Sequence, residues 1–190
     1  MQKMKLNDIA DVYSGATFKR YVDREGTLKK VIVQRSIKTG EKINDFDQMK
    51  FNDIINGRYL TQKGDILMKT PSPNDVVCVN EEGMVIGDRI AIIRLKEGYD
   101  PSFICHLLTN YYVKKQLHKF QTTTVISQVS ISDIKQLELI VPSYEKQKEY
   151  GELLDSIDEK LKINYQIIES DKELKEGLLN KLIEKGGYNE

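Results

Sequence analysis

The sequence predicts an α+β fold: a mixed, curved β-sheet domain over residues 1–142, then one long helix over residues 143–187. Two observations carry this. Short β-branched runs separated by turn residues recur from Val31 to Leu95, the spacing of a strand-rich domain. After Pro142 there is no further proline, and a run dense in Glu, Lys, Leu and Ile continues to Lys185.

In chain order, Val31–Val33, Asp65–Met68, Val76–Val79, Met84–Ile86 and Arg89–Leu95 have the length and composition of short strands. Ser72-Pro73-Asn74-Asp75 and Asn80-Glu81-Glu82-Gly83 are turns by composition. Pro101 to Gln121 carries Phe103, Leu107, Leu108, Tyr111, Val113 and Leu117 at helical spacing, which predicts one helix there. For the last helix, Ser143 is a candidate N-cap, Glu145 and Glu149 suit its positive start, and Lys181, Lys185 and Gly186-Gly187 suit its end.

Within that helix Leu154, Ile157, Leu161, Ile168, Leu178 and Leu182 recur at heptad spacing, with Asn164, Asp171 and Lys175 in the intervening seam positions. Leu174 lies seven residues after Ile167 and four before Leu178, an offset that shifts the seam's phase through residues 169–173. Gly151 and Gly177 each cost about 1 kcal/mol relative to Ala in a helix, so packing against a partner must supply most of its stability. Roughly 40 residues rising 1.5 Å each make a rod of about 60 Å, too long to lie wholly on a domain built from the remainder. The apolar stripe therefore predicts pairing between helices.

Composition sets outer limits. At 190 residues and 39% hydrophobic, the chain suffices for one ordinary domain with an appendage. Its apolar runs, such as Ile90–Ile93 and Leu137–Val141, fall well short of the roughly 18 residues of a membrane span. The opening residues lack the apolar core of a secretory signal, which predicts a cytoplasmic protein. Cys78 and Cys105 stand alone and predict reduced, buried thiols, and His106 and His118 have no ligand cluster near them, so no metal is expected. The formal charge is +0, but it is unevenly spread: residues 1–137 hold 21 basic and 16 acidic side chains, whereas residues 138–190 hold 8 and 13. A mildly basic body followed by an acidic helix leaves room for a face that meets phosphate.

No nucleotide-binding glycine loop, Gly-x-Ser-x-Gly elbow or His-Glu-x-x-His helix is present, and the Asn-Pro-Pro-aromatic site of amino-methyltransferases is missing. A binding protein without cofactor is the class that remains favoured. Lys5-Leu6-Asn7-Asp8-Ile9-Ala10 followed by Gly15-Ala16-Thr17-Phe18 resembles the opening of a target-recognition domain in a Type I restriction-modification specificity subunit. Lys63-Gly64-Asp65-Ile66-Leu67-Met68 is similar to that domain's strand entry. Ile131–Lys135 through Leu139-Ile140-Val141-Pro142 is similar to its closing segment, and Glu145-Lys146-Gln147 with Leu154–Asp158 to its spacer helix. The resemblance implies a non-catalytic DNA reader that brings methyltransferase and restriction (translocase) subunits to a bipartite site on double-stranded DNA. Such subunits usually carry two recognition domains and two helices, and this sequence has one of each. It therefore resembles a half-subunit that forms an antiparallel coiled coil with a copy of itself, or with another half. A homodimer would read a palindromic target.

DNA reading needs Lys and Arg for phosphates and polar side chains on exposed loops for base edges. Three segments offer both. Thr17, Lys19 and Arg20 follow a glycine and lead to Arg24, Lys29 and Lys30; otherwise they form a solvated loop. Lys69, Thr70, Ser72 and Asn74 follow a strand where the family resemblance puts a variable loop; otherwise they are a hairpin connection. Thr122, Thr123, Thr124 and Gln128 follow the basic Lys114 and Lys115; otherwise they lie in a β-branched edge strand. Arg35 and Arg89 are further candidates, or structural ion-pair partners. Two other functions stay open: a half-subunit mimic that binds the methyltransferase without reading DNA, and a free enzyme such as a nuclease accessory.

Overall fold

Ile90-Ala91-Ile92-Ile93 is uninterrupted by polar residues because the strand that contains it is covered on both faces, as continuous apolar runs in strands generally are. The computed structural model describes residues 1–121 and 128–185. In chain order these form β1 (Gln2–Lys5), α1 (Leu6–Ile9), β2 (Ala10–Ser14), β3 (Val22–Ile32), β4 (Asp47–Phe51), β5 (Ile66–Lys69) and β6 (Val76–Cys78). There follow β7 (Val85–Ile86), β8 (Ile90–Leu95), α2 (Pro101–Thr109), α3 (Tyr111–Phe120), α4 (Ile131–Lys135), β9 (Glu138–Val141) and α5 (Tyr144–Lys185). Single 3-10 turns lie at Phe18–Arg20, Gln34–Ser36 and Gly57–Tyr59.

The class is α+β with a long last helix, but the strands form three small sheets rather than one. The central sheet has the order β2-β8-β5-β6, all antiparallel. One of its faces contributes Ile66, Met68, Ala91 and Ile93 to a core completed by Leu6, Ile9, Ile104, Leu108, Val113, Leu117 and Ile134 from the helices. The other contributes Leu67, Ile90 and Ile92 to a second core with Ile32, Ile37, Met84 and Ile86. Period-two alternation thus feeds two cores from one strand. A second sheet, β4-β3-β7, covers a small third core of Val31, Phe51 and Val85, and its β3–β7 pair is the parallel one. The third pairs β1 with β9, Lys5 opposite Glu138, so the opening and closing segments meet.

Several differences from the sequence reading have local causes. The single helix expected over Pro101–Gln121 is two, because Asn110 adopts extended backbone (ψ 149°) and its side chain accepts a hydrogen bond from Tyr112 N, capping a new helix. Strands β1, β2, β4 and most of β3 carry too many polar residues to stand out by pattern. Cys78 and Cys105 are half-buried, not buried: Cys78 ends β6, and Cys105 packs at the edge of the first core.

The start of α5 is fixed from within the residue 1–152 unit. Gln147 is 2% exposed; its Oε1 accepts from Asp100 N (3.0 Å) and its Nε2 donates to Pro142 O (3.0 Å). A Cβ on Gly151 would come within 2.8 Å of Asp100 Oδ1 and 3.1 Å of Phe103 N, so the glycine that weakens the helix permits close approach to the start of α2. Glu145 accepts hydrogen bonds from its own backbone N–H and the Ser143 hydroxyl, which hold its carboxyl below the usual range. Residues 153–190 form a second unit, in which Ile157, Leu161, Ile168, Leu178 and Leu182 are exposed and Leu154 half-buried. Ile163, Ile167, Leu174, Leu179 and Ile183 are exposed as well, so the apolar band is wider than a two-position seam. Among the described residues no helix is long and apolar enough to cross a membrane.

A part-buried ion pair ties the entry of β5 to β8. Asp65, 1% exposed, accepts from Arg94 Nε and Nη2 (both 2.8 Å) and from Gln62 N (2.8 Å), while Arg94 also donates to Leu60 O (3.2 Å). Asp65→Ala would leave the guanidinium and an amide without their carboxylate, so unfolding in urea should show a loss of about 3 kcal/mol. An unchanged midpoint would mean that solvent replaces the pair.

Candidate nucleic-acid interface

The turn from β7 to β8, Gly87-Asp88-Arg89, brings the first two sequence-selected segments, and Gln128 of the third, to one end of the central sheet. On one side Gly15 N donates to Ile90 O (2.9 Å) and Ala16 N to Ile86 O (2.8 Å). On the other, Thr70 N and Oγ1 both donate to Arg89 O (3.0 and 3.1 Å). The third segment joins through Thr70, whose carbonyl accepts from Val129 N (2.9 Å) and whose hydroxyl accepts from Gln128 Nε2 (3.0 Å). Arg89 has φ +59°, a left-handed conformation that costs an L residue of this size about 1 kcal/mol or more, and its side chain is exposed.

The basic turn Phe18–Arg20 is held from beneath. A Cβ on Gly15 would lie 1.9 Å from Gly87 O, and one on Gly87 would lie 2.8 Å from Phe18 Cζ. Only paired glycines allow the two backbones to touch with the Phe18 ring on top. Phe18 then packs edge-on against Phe51 at 5.9 Å between centroids, in the third core. With the aromatic ring anchored, Thr17, Lys19 and Arg20 are left exposed.

The loop at 69–75 is stiffened by its own polar groups. Asn74 Nδ2 donates to Lys69 O (3.0 Å) and Thr70 O (2.9 Å), and its Oδ1 accepts from Gln121 Nε2 (2.8 Å). Lys69 pairs with Asp75 (2.9 Å), and Thr70 is 4% exposed. Of this group Ser72, at the tip beside Pro73, is the exposed side chain. Gln128 is exposed apart from its bond to Thr70, whereas Thr122, Thr123 and Thr124 lie outside the described residues.

Ion pairing sorts the cations. Arg35 reaches Asp45 (3.2 Å) and Asp47, which raise its pKa further, the Asp47 hydrogen bond most. Lys30 pairs with Glu81 (2.5 Å) and lies over the Phe46 ring. Among the described residues Lys19, Arg20, Arg24, Arg58 and Arg89 have no carboxylate partner. Sequence reasoning passed over Arg58, in the Gly57–Tyr59 turn; the Asn56-Gly57 dipeptide before it was the available signal. No group of three or more metal-ligating side chains is found among the described residues.

This fold is that of Type I specificity subunits. It is similar to the HsdS subunit from Thermoanaerobacter tengcongensis with a TM-score of 0.72 at 16% identity, over 97% of this chain and 48% of that one. A chain from work on complex assembly and conformational transition of the type I R-M system gives 0.73 at 15% identity, over 99% and 50%. The Type-I restriction-modification S subunit from M. genitalium gives 0.59 at 20%, over 95% and 45%. No curated protein sequence matches the chain. The family profile described as Type I restriction modification DNA specificity domain matches residues 1–170, so the chain belongs to that family. It spans about half the length of the solved structures it resembles.

The paired glycines make the placement of the basic turn testable. Gly15→Ala should force the Gly87 strand away, lower stability by about 1–3 kcal/mol in urea denaturation, and weaken DNA binding. Full stability with normal binding would show that the close approach is dispensable.

Proposed function

We propose that this chain is the DNA-reading specificity subunit of a Type I restriction-modification system, acting in the cytoplasm without catalytic activity or cofactor of its own. The observation that carries this is the convergence of the first two polar segments on the Gly87–Arg89 turn, with Gln128 joined to them through Thr70, in a chain of this family. Lys19, Arg20 and Arg89 would meet phosphates, with Thr17, Ser72 and Gln128 near base edges. Lys69, Thr70 and Asn74, whose polar groups bond within their own loop and to Arg89, Gln121 and Gln128, would hold that surface in shape, and Arg35 would brace β4.

The long helix supports assembly. Its exposed apolar band would pair antiparallel with a second copy or another half-subunit, giving a two-part site, palindromic for a homodimer. The band's extra width would leave apolar surface for methyltransferase and restriction subunits.

Two measurements test the reading. Binding of the chain to a long mixed-sequence duplex should weaken steeply with salt, and changing Lys19 and Arg20 together to Ala should flatten the slope of log K against log salt by about one to two units. An unchanged slope would place both residues off the DNA. Leu161→Asp combined with Ile168→Asp should give a folded monomer by light scattering, because both charges would enter an apolar seam; a persistent dimer would move the interface elsewhere.

A further inference from the structure

Arg58 combines three properties found together at no other described cation: exposure, the lack of a carboxylate partner, and a guanidinium already held in place. Its carbon lies 4.6 Å from the Tyr59 ring centroid, and Nη2 donates to the Tyr59 hydroxyl. The short turn beneath is tied at both ends. Arg58 N donates to Asn56 Oδ1 (2.9 Å), Tyr59 N to Asn56 O (2.9 Å) and Leu60 N to Gly57 O (3.1 Å), and Leu60 bridges to Val85. Tyr59 also packs against Tyr21 at 5.9 Å between ring centroids. Tyr21 directly follows Arg20 and closes the basic turn through its N–H to Phe18 O (2.8 Å). The stack thus places Arg58 beside the basic turn, although 38 positions separate Arg58 from Arg20 in the sequence.

A guanidinium stacked on a tyrosine has lost much of the rotamer freedom that an arginine ordinarily gives up on binding. Its ring contact and one donor are engaged, and Nε, Nη1 and the second Nη2 hydrogen keep a planar fork for an acceptor pair. Carboxylates that would compete for that fork, as Asp45 and Asp47 do at Arg35 and Asp65 does at Arg94, are not paired with it.

We propose that Arg58, oriented by Tyr59 and Tyr21, is a preformed DNA contact that grips two adjacent acceptors in bidentate fashion. Such a pair is offered by phosphate oxygens or by the O6/N7 edge of a guanine. The inference rests on the DNA-reading function proposed above and adds to it a residue outside the three sequence-selected segments.

The experiment compares the full chain with Arg58→Ala, Arg58→Lys and Tyr59→Leu on a long mixed-sequence duplex across a salt series. Methylated adenines are mapped in cells that supply the methyltransferase subunit. Arg58→Ala should bind about tenfold more weakly with an unchanged unfolding midpoint. Tyr59→Leu should lose a part of the same affinity while keeping the charge. A phosphate contact shows as a salt slope flatter by about one unit on every sequence, largely restored by Arg58→Lys. A guanine contact shows as relaxed methylation at one position, which Arg58→Lys does not restore. Affinity, slope and site map all unchanged in Arg58→Ala, with the unaltered chain binding normally, would overturn the inference alone. Failure of the unaltered chain to bind duplex DNA would overturn the DNA-reading function and this inference with it.

Discussion

The central sheet is buried on both faces, and this constraint organises the rest of the molecule. Strands β8 and β5 alternate their side chains between two apolar cores, so neither face has room for polar chemistry. An unpaired polar group there would cost several times the net gain of a typical hydrogen bond. Charged and amide side chains are thereby confined to strand ends and turns. The one buried charge among the described residues, Asp65, is matched by the fork of Arg94 and a backbone amide.

At one end of that sheet the β7–β8 turn serves as a hub. Backbone hydrogen bonds from Gly15, Ala16 and Thr70 fasten separate loops to residues 86–90, and the apposed Gly15 and Gly87 bring main chains closer than any side chain allows. Because these links are main-chain bonds, the loop tips can vary in sequence without loss of the frame. Residues with internal partners, such as Asn74 and Thr70, lend shape to the surface, whereas Lys19, Arg20, Arg58 and Arg89 remain free to donate outward. Surface ion pairs like those of Arg35 contribute little stability, but they do remove a cation from the set available to phosphate.

The helix α5 begins inside the residue 1–152 unit and continues as a unit of its own. Its first turns are specified by buried polar contacts through Gln147 and by the glycine at 151, and its remainder by an exposed apolar band. The two parts of one helix therefore differ: the first is fixed by buried contacts within its own domain, whereas the second carries its apolar side chains exposed.

By itself the sequence determined the strand-rich body, the long final helix and the family, because these rest on local signals. Buried strands read as apolar runs, a proline marks the last strand's end, and short motifs stand in a fixed order. It also picked out Thr17, Lys19, Arg20 and Arg89 as candidate contacts, although it read Arg89 as the start of a strand, whereas β8 begins at Ile90 and Arg89 lies in the turn before it. Tertiary structure alone decided that Pro101–Gln121 divides at Asn110, since a side-chain cap, and no change in apolar period, breaks the helix. Tertiary structure also divided the strands among three sheets, because pairing depends on register between segments far apart in the chain. It settled too which cations have carboxylate partners: Arg35 with Asp45 and Lys69 with Asp75 are paired, while Arg58 is stacked on Tyr59 beside Tyr21. Composition counts such charges alike, whereas distance and burial distinguish them, and both are properties of the folded chain.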